Sequence, residues 1–183
     1  MLGLPELAET AADLIKFNTR PLNSSERGKA ASVFGAAIDL DAVRIDLHGL
    51  IGPSFTKRAY TAFHTISDWG GIDDNTLIHE LTHVWQYERT GAIYIAHALH
   101  AQITLGATRA YDYKGVPGLQ AAKTAGQGLT SFNREQQAAI VEDFYRIKTG
   151  GTPLFGSGTT ADMPLYGHFV KEVSTLSEPQ LMV

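Results

Sequence analysis

Two histidines four residues apart, with a glutamate directly after the first, stand in "TLIHELTHVWQYERTG", Thr76 to Gly91. His79, Glu80 and His83 are the residue types that hold a metal ion and make use of it. On a helix, residues four apart share one face, so His79 and His83 can aim two imidazoles at a single ion, while Glu80, rotated by about 100°, reaches the edge of the same site. Two neutral imidazoles and one carboxylate leave a fourth zinc position for water, whose pKa falls from ~16 towards ~7 when it is bound. Glu80 would then take the proton of that water. Leu77, Ile78, Leu81, Val84 and Trp85 make the helix apolar away from the histidine stripe, the pattern of a buried helix lining a cleft rather than of a chance HExxH on a solvated one.

A third ligand is required. The metzincin pattern would put Gly at position 86 and His at position 89, but Gln86 and Arg89 stand there, which excludes that class. The best candidate is Glu135 in "NREQQAAIVEDF": a capped helix start holds it firmly, and the small Ala138 and Ala139 beside it let a metal helix approach closely. The plainer role for Glu135 is an acid favoured by the dipole of a helix's first turn. Glu142 shares its stripe and could replace it as ligand, while Glu142 or Asp143 could instead accept a hydrogen bond from a ligand imidazole. Asp162 in "GTTADMPLYG" is a rival. It approaches the GTxxDxxYG element by which aspzincins supply an aspartate, yet three residues separate it from Tyr166, and an Asp two places before Pro164 is adequately explained as a helix N-cap. His97 and His100, three apart, read as solvent-facing and stay outside the ligand set. Tyr111, Tyr113, Tyr166 and His168 are candidates to stabilise an oxyanion, among which the sequence does not choose.

Composition limits the remaining possibilities. The chain has no cysteine, so disulfides, thiolate clusters and a cysteine nucleophile are excluded, and a metal must be held by His and carboxylate. Its 183 residues, 44% of them apolar, suffice for a real core, and no repeat or linker divides them, so residues 1–183 are expected to form a single domain. A net charge of -4 with scattered Lys and Arg provides no basic stripe for nucleic acid or an anionic membrane. Glu6, Glu9 and Asp13 stand where a Sec-type signal would be positive and then apolar, so the expected location is cytoplasmic or reached by a non-Sec route.

These residues need a scaffold. Leu4 to Phe17 reads as a helix with Pro5 in its first turn, and Asn23 with Glu26 forms a capping-box pattern opening a second helix to Phe34, stopped by Gly35. "VRIDL", Val43 to Leu47, and "AYTAFHTISDW", Ala59 to Trp69, read as two strands of a small sheet. The histidine helix should start after Asp73 or Asp74 and end at Gly91; "GAIYIAHALHAQITLGAT" reads as a half-buried helix, too often interrupted by polar residues for a membrane span, and "DYKGVPG" as a loop. Asn133 and Gln136 repeat the capping-box spacing and open a helix to about Thr149, stopped by Gly150 and Gly151.

"LIHELTHVWQ" resembles the metal helix of the bacterial zincin-like domains found in extracellular contractile injection systems and in Rhs-type secretion proteins. "RPLNSSERGKAASVFGAAIDLDAVRID" is similar to the helix-then-strand start of that group, and "NREQQAAIVEDF" to its downstream acidic helix, so that the resemblance spans most of residues 20 to 147. It implies an α+β zincin-like fold, with a small N-terminal sheet packed on the HExxH helix and a helical C-terminal half. It also implies His79, His83 and Glu135 as ligands of one Zn2+ and Glu80 as general base. The expected activity is zinc metallopeptidase hydrolysis of a peptide or protein substrate. The alternative is a non-catalytic zinc-bound protein-interaction module.

Overall fold

Helix caps predicted from the sequence set the boundaries of three helices. A computed structural model of the chain describes residues 19–47, 59–68, 70–91 and 107–175. Strand β1 is Thr19–Pro21, helix α1 Ser24–Phe34, β2 Arg44–Asp46, β3 Tyr60–Ala62, β4 Thr65–Ser67 and α2 Asp74–Thr90. Then follow α3 (Ala107–Tyr111), α4 (Gly115–Thr124), α5 (Arg134–Lys148) and α6 (Met163–Ser174), with 3-10 turns at Leu129–Ser131 and Thr160–Asp162. The architecture is α+β: among the described residues, strands precede α2 and only helices follow it. The expected helix at Leu4 to Phe17, and the segment after Gly91 that carries His97 and His100, lie outside the described residues.

At the start of α1, Asn23 accepts from the Glu26 N–H at 2.9 Å and Glu26 accepts from the Asn23 N–H at 2.7 Å. Arg20 on β1 grips both oxygens of the same Glu26 at 2.7 Å each, so the cap also ties strand to helix. Asp73 caps α2 through the N–H groups of Asn75 and Thr76, and Gly91, at φ 66°, takes the turn that ends it. Asn133 and Gln136 form the reciprocal box at α5, and Asn133 Nδ2 also donates to the Ala110 carbonyl at 3.1 Å.

The four strands run in the order β1-β2-β4-β3, with β1 antiparallel to β2, β2 parallel to β4, and β4 antiparallel to β3. Ile45 and Ile66 pair across the two central strands, and both are fully buried in a core shared with Phe34, Leu77, Ile78, Leu81 and Val84. Thr61 lies opposite Ile66, on the same face of the sheet. That register turns the hydroxyl of Thr61 towards α2.

Three expectations need correction. Ala59 to Trp69 is not one strand but a hairpin, β3 to β4, turning at Phe63 and His64. Phe63 sits at φ 58°, a conformation that normally asks for glycine, and edge contacts of Phe63 and His64 with Tyr87, ring centres 5.3 and 5.1 Å away, hold the turn in place. The segment "DYKGVPG" is only half loop, because α4 begins at Gly115 once Lys114 has adopted a left-handed conformation. Asp162 does not cap α6 with its side chain; its carboxylate turns back to the Thr159 N–H at 2.8 Å and closes the preceding 3-10 turn.

Replacing Asn133 by Ala removes both its cap and its bond to α3, and should cost ~1–2 kcal/mol of stability in urea denaturation. A loss no larger than the scatter of surface substitutions, ~0.5 kcal/mol, would contradict this role.

Candidate metal centre

Helix α2 presents His79 and His83 on one face, and α5 packs against it so that Glu135, in the first turn of α5, meets both rings. His79 Nε2 lies 3.5 Å and His83 Nε2 3.6 Å from Glu135 Oε2, and one ligand atom from each residue falls within 4.8 Å of the others. Two ligand atoms at ordinary zinc bond lengths and a tetrahedral angle are ~3.4 Å apart, so the spacing suits a small ion at their centre. All three side chains are buried, with residue exposures of 7%, 6% and 2%. The donor set fits zinc: two imidazoles and one carboxylate, with no thiolate in the chain.

The far nitrogen of each ring is already engaged. His79 Nδ1 donates to Glu142 Oε2 at 3.0 Å, and Glu142 is clamped in turn by Arg146 Nε and Nη2 at 2.9 and 2.7 Å. His83 Nδ1 donates to the Gln86 side-chain carbonyl at 2.9 Å, and Gln86 Nε2 donates to the Arg134 carbonyl and to Gln137 Oε1, both at 3.0 Å. A proton on Nδ1 leaves the Nε2 lone pair for the ion, so these partners select the ligating tautomer as well as the ring orientation. Glu142 therefore sits behind His79 as an acceptor, and Glu135 is the carboxylate that faces both Nε2 atoms. Asp162, committed to Thr159, is not part of the three-residue cluster found among the described residues.

Burial opposes a charge on His79, but hydrogen bonds to Glu135 and Glu142 outweigh it and push the imidazole pKa up to about 10. Burial likewise resists ionisation of Glu135, yet His83 and His79 beside it hold its carboxyl well below the usual range. Glu80, 5% exposed, is close enough for its carboxylate to raise the pKa of both imidazoles, and its Oε2 accepts from Thr61 Oγ1 at 2.6 Å.

Of the four oxyanion candidates, Tyr111 is the one whose ring adjoins the cluster, 5.7 Å from His79 and stacked on Phe155 at 5.1 Å. Phe155 completes the wall at 6.0 Å from His79. Tyr113 and Tyr166 are structural instead. Their buried hydroxyls meet at 2.6 Å, Tyr113 donates to Asp143 Oδ2 at 2.6 Å and Tyr166 to the Ser157 carbonyl at 2.8 Å; burial pushes the Tyr166 pKa up to about 12. Asp143 also accepts from the Leu154 and Phe155 N–H groups, and a Cβ on Gly156 would overlap the Tyr113 hydroxyl, so this network seats the loop that carries Phe155. His168 packs its ring against Phe169 on α6. Thr61, Gln137 and Phe155 were not singled out from sequence; the spacing of a local motif carries no signal for partners that come from distant segments.

The fold and this cluster define the class: an α+β domain with a buried His–His–Glu centre between two helices. The chain is 29% identical over 143 residues to the type VI secretion system spike protein VgrG2b of Pseudomonas aeruginosa, an alignment that takes in 70% of this chain. It spans about 13% of the length of that relative. The effector domain of Pseudomonas aeruginosa VgrG2b shares its fold, with a TM-score of 0.60 at 22% identity over 93% of this chain and 94% of that one. No known family model matches the chain. The secretion-system side of the resemblance read in the sequence thus has a counterpart in the spike-protein relative, and the likeness to the solved domain shows the fold. Among the described residues no helix is long and apolar enough to cross a membrane.

Two predictions follow from the geometry. With the His79 pKa raised to about 10, a proton competes with zinc at the imidazole throughout the neutral range, so affinity measured against a chelator should rise from pH 6 to pH 8, with proton release on binding; a pH-independent affinity would contradict it. Glu135→Ala should weaken zinc binding at least ~10-fold, whereas Asp162→Ala should leave it near wild type. The opposite order would return the ligand role to Asp162.

Proposed function

We propose that the chain is a zinc-dependent metallopeptidase domain of zincin-like fold, acting as an effector module of a bacterial secretion system on a peptide or protein substrate. The observation that carries this reading is the convergence of His79, His83 and Glu135 with the Glu80 carboxylate beside the two imidazoles. A structural ion needs no base, and Glu80 lies at the edge of the cluster, where such a base belongs. The 29% identity to a type VI secretion system spike protein supports the secretion context.

Zinc, when bound, supplies Lewis acidity that polarises a scissile carbonyl and lets water lose a proton near neutral pH. The residues of this chain do the rest. Thr61 holds one oxygen of Glu80, which leaves Oε1 to take the proton from the attacking water and pass it to the leaving amine. Glu142, fixed by Arg146, steadies the His79 ring from behind and makes it a more basic ligand; Gln86 steadies His83 without adding a charge. Tyr111 and Phe155 wall the site beside His79 and limit water on that side. Of the candidate tyrosines, Tyr111 has its ring beside His79, from where its hydroxyl could serve the developing oxyanion.

Glu80→Gln keeps the size and the hydrogen bond of the side chain but cannot accept the proton, so cleavage of a broad peptide library should fall ~10²–10⁴-fold. Zinc content and melting temperature should stay near wild type. A zinc-loaded wild type that cuts nothing, in the library or in denatured proteins, would make the domain a non-catalytic interaction module instead.

A further inference from the structure

A pocket of about 370 Å³ opens between the C-terminal half of α2 and the start of α5, lined in part by Trp85, Arg89, Phe132, Asn133, Arg134 and Gln137. None of these residues is a metal ligand, and the volume is in the range of small-molecule sites, ~300–1,000 Å³. Its walls combine two characters. Half-buried Phe132 supplies apolar surface, and Trp85, only 3% exposed, closes the floor beneath the Arg89 guanidinium, which lies 4.4 Å from its ring centre. Arg134 brings a second guanidinium to the same pocket.

Among the described residues neither cation is paired with a carboxylate. Arg89 donates to the Thr175 carbonyl at 2.7 Å, and Arg134 reaches only Gln137 Oε1 at 3.5 Å. The neighbouring Glu88 is committed elsewhere, to the Asp39 N–H at 3.0 Å and to His64 Nε2 at 3.1 Å. Burial lowers the Arg89 pKa and Glu88 offsets it only in part, as expected of a cation partly stripped of water. An anion that entered would relieve that cost.

We infer that this pocket binds a small ligand that joins a carboxylate to an apolar body, with the carboxylate between Arg89 and Arg134 and the body on Phe132 and the edge of Trp85. A planar guanidinium matches a carboxylate with two parallel hydrogen bonds, and the C-terminal residue of a peptide ending in an apolar side chain has both parts. Inorganic phosphate would satisfy the cations but leave the aromatic surface unmet. The site does not depend on the hydrolytic reading. It does share a wall with the metal centre, since Gln137 holds Gln86, which holds His83. The test therefore leaves Gln137 intact and alters the two arginines; in Arg134→Gln the backbone carbonyl that Gln86 uses is retained.

The probes are N-acetyl-leucine, its amide and inorganic phosphate, added to the zinc-loaded full chain. The readout is the Trp85 indole N–H resonance, distinguished by Trp69→Phe from that of the other of the two tryptophans. N-acetyl-leucine should shift it saturably, and the amide should bind at least about tenfold more weakly, because the charge-assisted bonds are lost. Arg134→Gln and Arg89→Gln should each weaken the acid by about the same factor, Arg89→Lys by less, and Arg134→Gln should keep its zinc. Should Arg89→Gln not fold, Arg134→Gln decides alone. Equal affinity for acid and amide, wild-type affinity in Arg134→Gln, or no saturable shift would overturn the inference. Phosphate binding as tightly as N-acetyl-leucine would overturn the apolar-bodied ligand.

Discussion

Burying two imidazoles and a carboxylate together at the seam of α2 and α5 is costly, and the surrounding structure is arranged to offset that cost. Each ionisable group has a partner with a partner of its own: Glu135 faces both rings, Glu142 holds His79 and is itself held by Arg146, and Gln86 holds His83 and is itself held by Gln137. Deleting one member would leave another buried and uncompensated, which costs more than the lost bond alone. The two supports differ in kind. The anionic acceptor behind His79 favours the protonated ring, in line with its raised pKa, whereas the amide behind His83 adds no charge and the raised pKa of that ring comes from Glu135 and Glu80.

The rest of the fold keeps that seam in register. Ala138 and Ala139, fully buried on α5, are small enough to let the helices approach, and the Asn133 box fixes where α5 begins and so where Glu135 points. The sheet reaches the site through Thr61, whose place opposite Ile66 aims its hydroxyl at Glu80. The loop after α5 reaches it through Phe155, held by Asp143 and by the close passage of Gly156 over Tyr113. Helix pair, sheet and loop thus bring two imidazoles, the Glu135 and Glu80 carboxylates and an aromatic wall to one small volume.

Much of this was legible in the sequence because it is local. The four-residue spacing of His79 and His83, and the boxes at Asn23 and Asn133, are set by helical geometry within a few residues, and the structure has these helices where the spacing places them. The small neighbours of Glu135 marked it among several acids, although Glu142 and Asp162 remained open until tertiary contacts committed them to His79 and Thr159. The hairpin at Phe63 was hidden because its turn lacks the usual Gly or Asn and relies on Tyr87, which lies in another element. Thr61, Gln137 and Phe155 were hidden for the same reason. Their roles exist only once distant segments pack, and a serviceable strand threonine or helix glutamine carries no mark of it.

The most direct test of the account is the position of the ion itself. Anomalous scattering measured at the zinc absorption edge from crystals of zinc-loaded protein should give one strong peak, ~2.0–2.2 Å from His79 Nε2, His83 Nε2 and a Glu135 carboxylate oxygen. Glu80 should stand beside the peak without touching it. A peak bonded to Glu80, to Glu142 or to Asp162 in place of Glu135, or no peak between α2 and α5, would contradict the assignment on which the proposed chemistry rests.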